Sequence, residues 1–174
     1  AACNLGAAQA ATEFLLFLNP DATLMPDTLD QLVAAARRYP AASAMNPRIA
    51  EEDGSAAFHR SSRLMPRAER MPRGWPAADT EVTVLTGAAL FVRRADFEAV
   101  GGFDPKIFLY HEDDDLSRRL RAERGSIMFI REALVQHRGG ESSPRDAEIS
   151  ALKAYHMARS RVYATRKHGR PMPF

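Results

Sequence analysis

Apolar residues fall into two kinds of short pattern along this chain. "EFLLFL", Glu13 to Leu18, is a continuous apolar run ending in the turn signal "NPD". Such a run predicts a parallel-type central strand buried on both faces. "MPDTLDQLVAAARRYP" instead spaces Leu29, Leu32, Val33 and Ala36 at helical intervals, with Arg37 and Arg38 at the end and Pro40 beyond. It predicts a helix from Pro26 to Tyr39.

The rest of the chain alternates the same way. "ASAMNPRIAEEDGSAAFHRSS" carries an Asp53-Gly54 turn between two short segments and reads as a hairpin. Residues 63–79 hold Pro66, Pro72 and Pro76 among several arginines without periodicity, which predicts a mobile irregular loop. "EVTVL" and "ALFVRR" read as strands around Thr86-Gly87, and "RADFEAVG" as a helix ended by Gly101-Gly102. "SIMFI", Ser126 to Ile130, is a further strand. Ser143-Pro144 reads as the cap and first turn of a terminal helix reaching about His168, with Ile149, Leu152 and Tyr155 as its apolar face. Alternating strands and helices imply an α/β layer fold, whose ligands bind beyond the carboxyl ends of the strands.

Length makes residues 1–174 one domain, with a core large enough to need no staples. A hydrophobic share of 45%, a charged share of 26% and a net charge of +2 describe a soluble globular chain, and no nucleic-acid partner is implied. Cys3 stands alone, which excludes a disulfide framework and a cysteine-rich zinc site and suits a reducing cytoplasm. The longest nearly uncharged run, Val82 to Val92, is far short of the ~20 residues that cross a bilayer. H-E-x-x-H, a calcium loop, G-x-S-x-G, G-x-G-x-x-G and a P-loop lysine are all absent.

Candidate chemistry starts with "LYHEDDDLSRRL", Leu109 to Leu120, which crowds four acids into one turn. Taking Leu116 and Leu120 as the buried stripe, Glu112 and Asp113 lie within about 60° of it, and Asp114 and Asp115 more than about 100° away. The second pair is then expected on the solvent face, ion-paired with Arg118 and Arg119 at a few tenths of a kcal/mol. For Glu112 and Asp113, a helix N-terminus offers only ~0.3–1 kcal/mol against several for burying an unpaired charge. They should meet water, a cation or a substrate in a cleft, unless they simply cap the helix. Asp21 follows Asn19-Pro20 at a strand's carboxyl end, either as ordinary turn chemistry or as a ligand. His137 precedes Gly139-Gly140, where an imidazole could reach a cation held by carboxylates, although a lone histidine is more often structural.

Taken together and in order, "NLGAA", "EFLLFLNPDATLMPDTL", "LTGAALFVRRADFEAVGGFDPKIFLYHEDDDLSRRLRAERG", "VQHRGGESS" and "ARSRVYATRKHG" resemble family 2 glycosyltransferases, especially bacterial rhamnosyltransferase-like enzymes of cell-surface polysaccharide synthesis. The resemblance spans Asn4 to Gly169. It implies a GT-A fold, a three-layer α/β/α sandwich with a mostly parallel sheet, and inverting transfer of a sugar from a nucleoside-diphosphate donor to a glycan or lipid-linked acceptor. "NPD" matches the family's D-x-D element with Asn19 replacing the first acid, so Asp21 inherits contact with metal and diphosphate. Glu112-Asp113 matches the catalytic E-D pair, with Asp113 in the place of the general base, a choice that helical geometry leaves open. His137 matches a histidine of the metal shell, and Thr86-Gly87 and Gly101-Gly102 match elements lining the donor and acceptor pockets. Mn²⁺ or Mg²⁺ is the implied cofactor.

The family's opening strand and further βα units, which bind the nucleotide base, precede the segment matching Asn4, so the N-terminal nucleotide-binding part is expected to be missing. An apolar sheet edge left that way would favour a homo-oligomer. A non-catalytic glycan- or nucleotide-binding module of the same fold, and a metal-dependent hydrolase, stand as alternatives. Lys153, Arg159, Arg161, Arg166, Lys167 and Arg170 make the terminal helix basic, the pattern of a solvated helix or of peripheral contact with the inner face of the cell membrane.

Overall fold

Alternation of period two divides the apolar side chains of the strands between two faces of one sheet. The computed structural model describes residues 2–138 and 146–171. In chain order the elements are α1 (Ala2–Gln9), β1 (Phe14–Leu18), β2 (Ala22–Leu24), α2 (Thr28–Arg38), β3 (Ala42–Glu51), a 3-10 turn (Arg67–Glu69), β4 (Thr80–Val82), β5 (Ala89–Arg93), α3 (Arg94–Ala99), α4 (Glu112–Glu123), β6 (Ser126–His137) and α5 (Ala147–Lys167). The strands run β1-β5-β3-β6-β2, and β4 also pairs with β6.

On one face Leu15, Ala44, Leu90, Val92, Ile127 and Phe129 meet Ala7 of α1, Phe97 of α3, and Leu116 and Leu120 of α4. On the other, Met45, Phe91, Met128 and Ile130 meet Leu32, Ala35 and Ala36 of α2. The result is the expected α/β/α layering. Each fully buried leucine among these contributes about 1.5–3 kcal/mol through apolar area removed from water.

The sheet is partly parallel. Only the β3–β6 pairing is parallel among the described strands, and the other four pairings are antiparallel. The β3–β6 pair can be parallel because the chain between them crosses through α3 and α4. "EFLLFL" forms a strand as expected, but β1 ends the described sheet and pairs antiparallel with β5 rather than lying at its centre. Its continuous apolar run is explained by Leu15 serving one core face while Phe14 and Leu16 pack against the other.

The Asp53-Gly54 turn does reverse the chain, yet only one bridge, Ala50 to Ala56, follows it in place of a second strand. β6 runs well past Ile130, because a register shift opposite Pro47-Arg48 absorbs the charged residues that break the apolar run. Pro47 has no N–H to give the ladder there. The loop at residues 63–79 is irregular apart from its 3-10 turn, but it is tied down rather than loose. Trp75 Nε1 donates to Ile49 O at 3.1 Å, and the Arg48 and Arg131 guanidiniums lie over its ring. Asp79 accepts from Arg131 N, Arg38 and Tyr39. The α5 cap is Asp146, whose carboxylate accepts from Ile149 N at 2.7 Å; Ser143-Pro144 and Gly139-Gly140 lie outside the described residues. Ile149 is half-buried, whereas Leu152 and Tyr155 are exposed instead of facing the body.

Candidate functional site

Strand pairing assembles one half of the site. Asn19 follows β1 and donates its N–H to Ala88 O, and the tight turn closes with Ala22 N donating to Asn19 O, both at 3.0 Å. β2 then pairs with the end of β6, with Ala22 opposite His137. Asp21 therefore comes to His137, its Oδ1 3.3 Å from Nε2. The β3–β6 register sets Glu51 opposite His137 from the other side, Oε1 3.6 Å from Nδ1. Asp21 Oδ1 is buried without a hydrogen-bond partner. A buried carboxylate oxygen left unbonded beside an imidazole suits a hard-to-borderline cation, so the pair fits Mn²⁺ or Mg²⁺. No set of three or more such side chains stands ready to hold an ion among the described residues.

The other half is built by the turn into α4. Tyr110 and His111 adopt φ of 62° and 68°. Two consecutive non-glycine residues in the left-handed region cost about 1–3 kcal/mol each and mark a backbone held by its surroundings. The turn aims Asp113 at the Thr86-Gly87 loop, where Gly87 N donates to Asp113 Oδ2 at 2.9 Å and Asp114 N donates to Oδ1 at 2.9 Å. Ala88 links the halves, since it follows Gly87 and accepts from Asn19. Burial, then the neighbouring Asp114, raise the Asp113 pKa against the pull of His59 and the two N–H donors. Glu112 is pushed up to about 7, first by burial and then by the Asp113 charge. Its Oε2 is buried without a partner. The inward placement of both acids is as the helical geometry required.

Asp114 and Asp115 depart from that geometry. Both were expected on the solvent face, and their side chains are instead 5% and 0% exposed. α4 has no solvent face at this end, because the segment near His59 and the end of α5 cover the side opposite the sheet. Asp114 Oδ2 lies 2.8 Å from His111 Nδ1, and its Oδ1 3.7 Å from His59 Nε2. Asp115 takes Arg119 as expected, at 2.7 Å, but also Lys167 and His168 of the α5 end, each at 2.7 Å. Burial alone would raise its pKa; these donors hold it below the usual carboxylate range. Arg118 is drawn to the Leu64 and His168 carbonyls rather than to either acid.

Three further residues escaped the sequence reading. His59 Nδ1 stands 3.9 Å from Asp113 Oδ2 and 3.3 Å from Leu85 O, so one imidazole borders both acids. His111 shapes the helix entry. Asn46, 6% exposed, accepts from Thr86 N at 2.7 Å and donates to Thr86 O at 3.0 Å and Ala89 O at 2.6 Å, clamping the loop that braces Asp113. A polar residue in an apolar strand was its only signal. Gly101 and Gly102 end α3 with positive φ; Gly102 packs against Asn4 and Phe97, and its carbonyl accepts from Arg119. The described contacts give them this turn, not a place beside Asp113 or Asp21.

The model of Glycosyl transferase family 2 matches residues 1–101, more than half of the chain. The chain belongs to that family. This family 2 glycosyltransferase chain is 34% identical over 177 aligned positions to N-acetylglucosaminyl-diphospho-decaprenol L-rhamnosyltransferase of Mycobacterium tuberculosis, covering 90% of the chain and 57% of the relative. It is 29% identical to the O-antigen biosynthesis protein RfbC of Myxococcus xanthus, over 83% of the chain and 12% of the relative. Rhamnosyltransferase WbbL of Escherichia coli is 30% identical over 64% of the chain and 47% of its own length. The chain thus spans only part of the curated relatives it matches, from 12% to 57% of their length. Its fold resembles GalNAc-T7, solved with UDP, GalNAc and Mn²⁺, at a TM-score of 0.60 and 16% identity, over 95% of the chain and 42% of that structure. Staphylococcus aureus TarS gives 0.56 and 14%, over 78% and 23%. These likenesses establish the GT-A-type fold. The family match stops before Glu112, Asp113 and His137.

Proposed function

We propose that this chain is the acceptor-side part of an inverting glycosyltransferase of cell-surface polysaccharide synthesis, with Asp113 as the general base. One observation carries the reading: Asn19 bonding to Ala88 joins the Asp21–His137 pair to the Gly87–Asp113 pair at one end of the sheet. Asp113 has a side chain 18% exposed and a raised pKa, the combination needed to take a proton from an acceptor hydroxyl. As that proton moves to the carboxylate, the hydroxyl oxygen attacks the donor's anomeric carbon from the face opposite the leaving diphosphate, which inverts the configuration. Burial and the neighbouring Asp114 keep the proton affinity of Asp113 high, and Glu112, with its unbonded oxygen, precedes it in the same turn. Asp21 and His137 would hold a divalent cation, which supplies charge neutralisation for the departing diphosphate. Asn19 and Thr86-Gly87 line the donor side of the same cleft.

A nucleoside-diphosphate sugar is the donor in this reading, and the M. tuberculosis relative's name supports rhamnose as the sugar and a lipid-diphosphate-linked acceptor. The GalNAc-T7 structure, holding UDP and Mn²⁺, supports Mn²⁺. In the same reading the protein works in the cytoplasm at the inner face of the cell membrane. No described helix is long and apolar enough to cross a bilayer. Contact through α5 is supported by its outward apolar face, described below. The outer edge of β1, which no strand pairs among the described residues, supports self-association. Asp113→Asn should retain Mn²⁺-dependent UDP binding and lose sugar transfer by about 10²–10⁴-fold; unchanged turnover would overturn the assignment of the base.

A further inference from the structure

Between the loop that leaves His59 and the end of α5 lies a groove of about 810 Å³ lined by Ser61, Ser62, Arg63, Arg67, Arg70, Thr165 and Arg170 among others. Its volume falls within the ~300–1,000 Å³ of small-ligand sites. Four guanidiniums and three hydroxyls face it, and among the described residues no carboxylate does. Arg63, Arg67 and Arg70 are carried on one excursion of the chain, closed where Arg60 O accepts from Met71 N and Arg60 Nε donates to Met71 O, both at 2.9 Å; Arg170 comes from beyond the end of α5. Arg63 and Arg67 make no ion pair or side-chain hydrogen bond among the described residues. Arg170 Nη2 donates to Met65 O, while its Nε is buried without a partner.

A neighbouring cavity of about 370 Å³, sharing Met65, Pro66 and Arg170, shows the contrast. There Arg118 and Arg121 are accompanied by Glu69 and Glu81, and Arg121 pairs with Glu69 at 2.7 Å. Compensating acids are thus supplied on one side of Met65 and withheld on the other. Like charges gathered without counter-charge repel, and a bound anion removes that cost. The crowding is felt at Arg60, whose pKa is lowered by burial and then by Arg70 and Arg73. Planar guanidiniums and hydroxyls together match the oxygens of phosphate esters.

We propose that this groove binds the diphosphate of the acceptor. The assignment rests on the glycosyltransferase reading above and deepens it, for the groove begins at Ser61, two residues along the chain from the imidazole that borders Asp113 and Asp114. A sugar offering its hydroxyl to Asp113 would direct its diphosphate towards the arginines, away from the donor side at Asp21 and His137.

The test is calorimetric titration of the whole chain, in phosphate-free buffer, with inorganic pyrophosphate, farnesyl diphosphate and UDP plus Mn²⁺. Arg63→Glu combined with Arg67→Glu, both exposed positions, should weaken pyrophosphate and farnesyl diphosphate at least tenfold and leave UDP–Mn²⁺ unchanged, with Arg63→Lys/Arg67→Lys keeping most of the affinity. Equal affinity in wild type and the Glu variant, or no binding of either diphosphate by wild type, overturns the proposal. An equal loss of UDP–Mn²⁺ binding overturns it too, by giving the groove to the donor. Asp21→Asn separates the two readings: it should abolish UDP–Mn²⁺ binding without touching farnesyl diphosphate, and wild type that fails to bind UDP–Mn²⁺ while binding farnesyl diphosphate refutes the donor site and leaves the groove standing.

Discussion

Gly87 donates its backbone N–H to Asp113 Oδ2 at 2.9 Å, so the candidate base is oriented by main chain, and that main chain is itself held by a side chain, Asn46. A backbone donor cannot be removed by truncating a side chain, but its position can be loosened. Asn46→Ala should strip three hydrogen bonds from the 86–89 loop. It leaves buried partners unsatisfied at about 1–3 kcal/mol each. A lower melting temperature together with a lower kcat is expected, with Mn²⁺-dependent UDP binding kept; a variant equal to wild type in kcat would show that the clamp does not position Asp113.

Glu112 makes the protein's stability depend on pH in an unusual direction. Its carboxyl group, raised to about 7, keeps its proton in the folded state over a range where the unfolded chain has lost it. Folding therefore binds a proton between about pH 4.5 and 7, and stability falls by roughly 3 kcal/mol as pH rises through that window. Glu112→Gln should abolish this slope and melt higher than wild type at pH 8. Denaturant titrations from pH 5 to 8 measure it, and parallel curves for both proteins would refute the raised pKa.

Asp115 acts with the opposite sign. Its carboxylate, with no exposed surface, pairs with Arg119 within α4 and ties that helix to the end of α5 through Lys167 and His168. Its depressed pKa means that the stability it contributes is present above the unfolded value near ~4 and is lost as pH falls through the lower folded value. His168, whose pKa burial depresses, adds a loss that begins near ~6.5 as pH falls. Asp115→Ala should cost about 3–5 kcal/mol at pH 7, because it removes the fully buried carboxylate on which Arg119, Lys167 and His168 converge. The gap from wild type should narrow at pH 3 in thermal melts; an unchanged gap would contradict the depressed pKa.

α5 turns its apolar side outward. Ser160, Ala164 and Thr165 face the body, while Leu152, Tyr155 and Val162 are 51%, 61% and 36% exposed. Arg159 and Arg166 share that outward face at helical spacing, with Glu148 at its N-terminal end. Exposed Phe108, its ring 4.5 Å from that of His156, extends the patch towards the start of α4. An apolar stripe flanked by arginines is the composition of a helix lying in an anionic bilayer interface. Sedimentation with phosphatidylglycerol vesicles should recover wild type and lose Tyr155→Glu/Val162→Glu. Equal recovery of both, or equal binding to neutral vesicles, would refute the membrane contact.

Much of the fold was legible because its signals are local. The α2 pattern, the short apolar runs of β1 and β5, and the glycines ending α3 each depend on a few neighbouring residues. The long β6 was legible only in part, since its charged middle is accommodated by a bulge against Pro47, a feature of its partner strand. Direction of pairing was less visible still, because an apolar run has the same pattern at a sheet's end as at its centre when both faces are covered.

For the site, the sequence by itself put Glu112 and Asp113 on the inward side of α4, but it did not show that Asp114 and Asp115 are buried too. A helix turns by about 100° per residue, so Leu116 and Leu120 commit Glu112 and Asp113 to the sheet side whatever surrounds them. It also placed Asp21 at a strand end through the turn chemistry of Pro20, and His137 after a short apolar stretch. Only the tertiary structure decided what lies on the far side of α4. The end of α5, more than 40 residues further along the chain, closes over Asp115, and His59 arrives from the loop beyond β3 to border Asp113 and Asp114. Burial is a property of what packs against a residue, and periodicity within one helix carries no information about a partner supplied from elsewhere in the chain.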